Sequence, residues 1–342
     1  MGVISEIRSI CDDIQLTHYL KYNSAFDVDT IETDAHSFYK RLYWKRTDVD
    51  MIIPLCKHRE RLTLLQSYYS TIADDNLTTS TPWLFYKNKL IPYFRKIEDS
   101  GLYTPDGYEH THYNIYTKTG RPSNSNGGVN YAALNKDDGS RTRFKSRFEG
   151  GKLIEFDYDA YHLRLISTLI EYDAPDDSFH THMAKLYYDK DDITDDEYKQ
   201  SKSISFTMLY GGIADEYSNV TFFKLIDEYI ERLWVSYISN GYIETPIAER
   251  RLSGDNFDDM NPRKLFNYLI QAYETEMNVL ILTELFDILS PLESKLVLYT
   301  YDSFLFDTKK TDIYIKELIK SKLQFPSRCS VGNHYGYMKA DN

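Results

Sequence analysis

The chain has 342 residues, 42% of them hydrophobic and 27% charged, which is normal globular composition and enough chain to bury a core and divide into two or three subdomains. Forty basic and 52 acidic residues give a formal net charge of −12, which excludes a uniformly basic nucleic-acid coat but leaves room for a locally basic cleft. Cys11, Cys56 and Cys329 are odd in number and widely spread, which argues against a disulfide framework or a structural zinc site. With apolar runs well short of about 20 residues and acids in place of a signal peptide, the expectation is a soluble, cytoplasmic protein with no membrane partner.

The 31 tyrosines fit an AT-rich genome as well as they fit base stacking. In chain order, apolar periodicity predicts helices over Phe38–Trp44 and Met51–Tyr69, and the polar run 74–82 predicts a joint. A helix is predicted over 83–100, closed by Gly101, and alternation predicts a strand from Tyr108 to Thr117. Residues 117–150 are irregular and carry seven Lys or Arg against three acids. With Tyr131, Phe144 and Phe148 interleaved, that segment suits either a surface that tracks a phosphate backbone or an ordinary solvated loop.

Lys152–Asp157 reads as a buried strand ending in a carboxylate. Helices follow over Leu163–Tyr172, His180–Tyr187, Thr194 to about Leu209 with a stop at Gly211-Gly212, Phe222–Ser239 and Pro262–Leu289. Leu296–Tyr301 and Phe304–Asp307 predict a hairpin with Asp302 at its tip, and Thr311–Leu323 a last helix. Asp157 and Asp302 both end apolar strands, and two such carboxylates can hold a pair of divalent cations for phosphoryl transfer, although acids also form ordinary turns at strand ends. Magnesium suits such oxygen ligands, with manganese as the alternative. Lys202, Phe206 and Tyr210 fall at i, i+4 and i+8 on one helix face, which fits an ammonium on phosphate and aromatics on sugar and base. A snorkelling lysine above a core stripe is the plainer reading. Arg263, Asn267 and Gln271 repeat that spacing, which suits either the acceptors of a duplex minor groove or a solvated face.

In order along the chain, these residues resemble the polymerase region of family A DNA polymerases. Thr119-Gly120-Arg121 resembles the TGR segment, and Asn135 to Arg141 the RNEEGRR loop. Phe156 to Arg164 resembles motif A, and Lys202-x3-Phe206-x3-Tyr210-Gly211 motif B. Gly241 to Thr245 with Arg250-Arg251 is similar to GYVET…GRR, and Tyr301-Asp302-Ser303 stands at motif C. The resemblance covers roughly residues 85–310.

It implies an α+β, right-hand fold with a helical thumb and fingers and a palm on a small antiparallel sheet. The expected division is an N-terminal helical region with a reduced thumb (1–107), palm (108–175), fingers (176–254, with the motif B helix at 194–211) and palm again (255–342). It implies template-directed addition of dNTPs to a primer 3′-hydroxyl. Asp157, Asp302 and Lys202 would be catalytic, with Tyr158 beside the aspartates at two Mg2+ ions. His180, His162, Tyr158, Phe206, Tyr210 and Gly211 would meet the nucleotide, and Arg121, Asn135, Arg141, Arg263, Asn267, Gln271 and Tyr301 the primer-template DNA. Three departures bear on this. Tyr198 replaces a triphosphate-binding arginine, whose place Lys199, His180 or Arg143 could take. His162 replaces the glutamate that excludes a 2′-hydroxyl, and Ser303 replaces the motif C glutamate. No room is expected for a proofreading exonuclease before the thumb, so a separate exonuclease or processivity factor would be a further partner. The compact size suggests a phage or other virus. The alternatives are a single-subunit phage-type RNA polymerase and a catalytically silent polymerase fold serving as a replisome scaffold.

Overall fold

A computed structural model describes residues 2–25, 55–253, 260–309 and 313–341. The helix expected over Phe38–Trp44 lies outside the described residues. No described helix is long and apolar enough to cross a membrane.

The chain opens with two helices packed on each other, α1 (Gly2–Tyr22) and α2 (Leu55–Ile72). Ile7, Cys11 and Ile14 bury one face of α1, the i, i+4, i+7 spacing of an amphipathic helix. The helix expected over 83–100 forms in three stages: Thr81–Phe85, a π-helical segment Tyr86–Leu90, and α3 (Ile91–Ser100). Pro92 has no N–H to return to the preceding turn, so the backbone widens there. Ser80 caps the first stage, and Gly101, at φ 62°, closes the last.

The strand expected over 108–117 is divided. Leu102–Thr104 (β1) pairs with Gly107–Glu109 (β2), and His112–Asn114 (β3) with Ser123–Ser125 (β4). His110 and Thr111 break the run, with His110 Nδ1 against the carbonyl of Glu98 at 2.7 Å. Within 117–150, Tyr131 and Phe144 are buried in a core with Leu153, Leu305 and Tyr335, so these two rings are packing residues and not stacking platforms. Their burial pulls the segment onto the sheet, where Arg147 Nε meets the buried Asp307 at 2.7 Å.

The principal sheet has five antiparallel strands, in the spatial order 339–340, 327–332, 152–158, 303–308 and 295–299. β5 (Lys152–Tyr158) lies at its centre. The short hairpin Tyr242–Glu244 (β6) and Arg251–Ser253 (β7) stands apart from it. The remaining strands of the large sheet are β8 (Lys295–Tyr299), β9 (Ser303–Thr308), β10 (Ser327–Gly332) and β11 (Lys339–Ala340). β5 and β9 are buried nearly throughout, which their continuous apolar runs anticipate. β10 and β11 were not expected. Ser327–Gly332 shows no apolar alternation, being half-buried except at the exposed Arg328.

Five helices follow β5 in order: α4 (Tyr161–Leu169), α5 (Phe179–Tyr188), α6 (Asp195–Gly211), α7 (Thr221–Asn240) and α8 (Pro262–Leu289). α9 (Ile313–Lys320) comes after β9. α8 has 28 residues, about 40 Å at 1.5 Å each. Its first half sends Phe266 and Ile270 into a core shared with α4 to α7, and its second half sends Val279, Leu282 and Leu285 into the core under the sheet. One helix therefore ties the two cores together.

Candidate active site

The acids are brought together by strand register. Asp157 on β5 pairs with Ser303 on β9, so Asp302 stands one residue beyond, at the hairpin tip. The ladder continues past the strands, with the Tyr158 N–H donating to the Asp302 carbonyl at 2.9 Å. The tip is tight enough to hold Tyr301 at φ 71°, a left-handed conformation that a bulky residue rarely adopts. Asn278 on α8 holds it there: its Nδ2 donates to the Tyr301 carbonyl (2.8 Å) and the Tyr299 hydroxyl (3.0 Å), and its Oδ1 accepts from the Tyr161 hydroxyl (2.8 Å). Burial raises the pKa of Asp157 to about 6, with the charges of Asp302 and Glu155 adding to the shift. Asp302 is also raised, by burial and then by Glu274. Two neighbouring carboxylates that resist ionising together form a hard-oxygen pair that a divalent cation would satisfy. Among the described residues, no group of three or more His, Cys, Asp or Glu side chains converges as a metal site. The Tyr158 ring is buried and stacks on Tyr161 at 4.4 Å, so a ligand from this residue would have to be its backbone carbonyl.

Helix α6 faces these acids. Thr194 and Glu197 form a reciprocal capping box that fixes where the helix begins, and hence which side chains line its inner face. Lys202, Phe206 and Tyr210 line a cleft of about 490 Å³ together with Asp157, Asp302, His162, His180, Arg121, Glu274 and Arg328. Phe206 and Tyr210 are 51% and 39% exposed, unusual for rings in a folded core, and their planes lie within 14° of each other. Lys202 Nζ sits 4.8 Å from the Tyr198 ring centre. His180, on the first turn of α5, is buried, and its pKa falls to about 4 through burial and then the charge of Lys202. A Cβ on Gly211 would meet nothing nearer than Thr207 at 3.9 Å, so the helix end is open.

Two further clusters in the cleft were missed in the sequence. Glu274 is fully buried on α8, with an oxygen 2.7 Å from Arg121 Nε and the other 3.4 Å from His162 Nε2. His162 Nδ1 in turn hydrogen-bonds the Tyr210 hydroxyl. A signal was there to find: Asn267, Gln271, Glu274 and Asn278 continue one polar stripe through an apolar helix. The second cluster is centred on Asp159. Its carboxylate accepts from the Phe179 N–H (3.1 Å), Arg164 Nη2 (3.4 Å) and Arg328 Nη2 (3.0 Å). Arg328 comes from the unexpected strand β10.

The residues expected on DNA are more dispersed. Arg121 is in the cleft, its guanidinium 3.8 Å from the Tyr301 ring centre. Arg263, Asn267 and Gln271 are half-buried along α8 and not part of the cleft wall. Arg263 Nη2 is bound to Asp227 at 2.9 Å. Arg141 is turned inward, with its Nε on the Leu134 carbonyl (2.8 Å) and its guanidinium over Tyr335. Asn135 starts an exposed turn by accepting from the Asp137 N–H. The next residue, Lys136, is near enough to lower the proton affinity of Asp157, so this loop approaches the acids.

No family model matches the chain. Over 176 residues it is 28% identical to the DNA polymerase I of Synechocystis sp.. That alignment takes in 48% of this chain and only 18% of the cyanobacterial protein. In three dimensions it is similar, with a TM-score of 0.57 and 15% identity, to the POL domain of Pol1 from M. smegmatis in complex with DNA primer-template and dNTP. That similarity covers 98% of this chain and 66% of the other. The chain is thus similar over part of its sequence to a DNA polymerase I, and it shares the fold of a POL domain.

Proposed function

We propose that the chain is a template-directed DNA polymerase that joins dNTPs to a primer 3′-hydroxyl with release of pyrophosphate. The observation that carries this is the opposition of Asp157 and Asp302, at adjacent strand ends, to the Lys202, Phe206 and Tyr210 face of α6 across a cleft of nucleotide size. In this reading the five-stranded sheet with α8 and α9 is the palm (108–175 and 255–342). Residues 176–254 are the fingers, and the helices of 1–107 include the thumb.

The two aspartates would hold magnesium, with manganese able to substitute. Coordination beyond them would come from the Tyr158 carbonyl, water and substrate oxygens. The bound metal would supply charge neutralisation at the transferring phosphoryl group and a more acidic primer hydroxyl. Lys202 contributes a fixed positive charge toward the phosphates. His180, neutral at pH 7, contributes a hydrogen bond there without a further charge. Phe206 and Tyr210 offer flat surfaces to sugar and base, and the His162–Tyr210 hydrogen bond fixes the orientation of the second ring. Arg121 reaches toward the primer from its stack on Tyr301, and the Asn267 and Gln271 face of α8 lies against the duplex.

Gel-resolved primer extension with magnesium tests the proposal. Wild type extends a primed template with dNTPs, and Asp157→Ala and Asp302→Ala each lose roughly a thousandfold or more while still binding duplex. Full extension by both variants would remove the assignment. Preference for rNTPs would favour the RNA polymerase alternative, and duplex binding with no extension by wild type would favour the silent scaffold.

A further inference from the structure

We propose that Arg328, reaching the cleft from β10, is a specificity residue for the polyphosphate of the incoming nucleotide. The inference rests on the reading above only in requiring a substrate that carries a triphosphate.

Three observations lead to it. First, β10 runs antiparallel to β5 in a register that sets Arg328 directly opposite Asp157. Cross-strand partners point their side chains to the same face, so the guanidinium rises beside the carboxylate that ends β5. Second, its tether leaves capacity for a ligand. Both hydrogen bonds of Arg328 come from Nη2, to Asp159 Oδ1 and the Tyr198 hydroxyl, each at 3.0 Å. Among the described residues, its Nε and Nη1 make no hydrogen bond, and the side chain is 60% exposed. An arginine held through one nitrogen is already oriented, and its free Nε and Nη1 donors can each meet a phosphate oxygen.

Third, the cations are arranged along one wall. Asp159 is shared between Arg164 and Arg328, so neither arginine has a carboxylate to itself. Arg121, by contrast, is matched by Glu274 in the cleft. Arg328 and Lys202 therefore form a cationic pair on the Tyr198 side of the cleft, with Tyr198 between them: its ring lies under Lys202 and its hydroxyl bonds Arg328. Such a pair fits an extended polyphosphate better than a lone phosphate, because each cation can meet a different phosphoryl group.

The test is calorimetric binding of inorganic tripolyphosphate and of dAMP to the full chain, for wild type, Arg328→Met and Arg328→Lys, alongside primer extension. Arg328→Met is expected to weaken tripolyphosphate binding by roughly 10- to 100-fold, the range for losing charged hydrogen bonds, while leaving dAMP affinity unchanged. Arg328→Lys should recover part of the loss, since it restores the charge but not the planar set of donors. In extension assays Arg328→Met raises KM for dNTP by a similar factor and changes kcat much less. Unaltered tripolyphosphate binding in Arg328→Met overturns the inference. An equal loss of dAMP binding does so too, because it would mean general distortion of the cleft through Asp159. Tripolyphosphate binding that depends on Arg328 in a protein that extends no primer would keep this inference and discard the polymerase reading.

Discussion

His180 shows how burial sets the chemistry of one residue. Its imidazole is 5% exposed and faces Lys202, with Arg164 and Arg328 adding positive charge and Asp159 opposing them. The pKa drops from 6.5 to about 4, so the folded protein holds a neutral ring where the unfolded chain takes up a proton. Between pH 6.5 and 4 the unfolded state binds more protons at this residue, and stability is lost as pH falls through that window. Asp157 acts in the opposite sense. Its raised pKa favours the folded state at low pH, and that contribution is lost as pH rises from about 4 through about 6. Only a variant can separate the two. His180→Gln keeps a hydrogen-bonding side chain and removes the titration, so denaturation midpoints measured from pH 7 to pH 4.5 should fall less in His180→Gln than in wild type. Parallel curves would mean that the histidine ionises freely in the fold.

At the scale of the element, the position of Asp302 depends on a residue of α8 that does not line the cleft. Asn278 is 1% exposed and satisfies two tyrosine hydroxyls and the Tyr301 carbonyl from the middle of α8. Asn278→Ala leaves all three groups buried without that partner, at an expected cost of about 2–4 kcal/mol in unfolding free energy. It also frees a hairpin tip that carries a strained tyrosine, so kcat for extension should fall more than stability alone explains at temperatures where the variant stays folded. A stable variant with wild-type kcat would show that the hairpin holds its shape unaided. The same helix marks how far the sequence could be read. The i, i+4, i+8 spacing of Arg263, Asn267 and Gln271 was visible, because three polar residues interrupt an apolar run. The continuation to Glu274 and Asn278 is hidden, because the spacing changes to i+3 at Glu274 and the next residues look like ordinary helix formers. The strand ends at Asp157 and Asp302 were legible from apolar runs that stop on an acid. Arg328 was invisible for the opposite reason. Its strand is half-buried except at Arg328 itself and has no apolar periodicity, and it is set beside β5 by pairing with a strand far earlier in the chain, which no local pattern encodes.

Taken as a whole, the molecule is an acidic protein assigned to a polyanionic partner. A net charge of −12 repels DNA at long range, so any affinity must come from a few local cations within a screening length of the backbone. The basic segment 117–150 supplies fewer than its composition suggests, since Arg141 and Arg147 are spent on holding the segment to the sheet. Lys118 and Lys136 are exposed, and Lys136 lies near Asp157. If about four cations from this segment and the cleft meet phosphates, the logarithm of duplex affinity should fall with the logarithm of salt at a slope near −3.6, roughly a hundredfold between 50 and 200 mM. Lys118→Ala and Lys136→Ala should each reduce the steepness of that slope by about one unit and leave the thermal midpoint within a degree or two, because neither side chain is buried. Fluorescence anisotropy of a labelled primer-template across a salt series measures both effects. Affinity that ignores salt would mean that the duplex is gripped by neutral contacts along α8. An unchanged slope in both lysine variants would move the phosphate track off the 117–150 segment and onto another face of the protein.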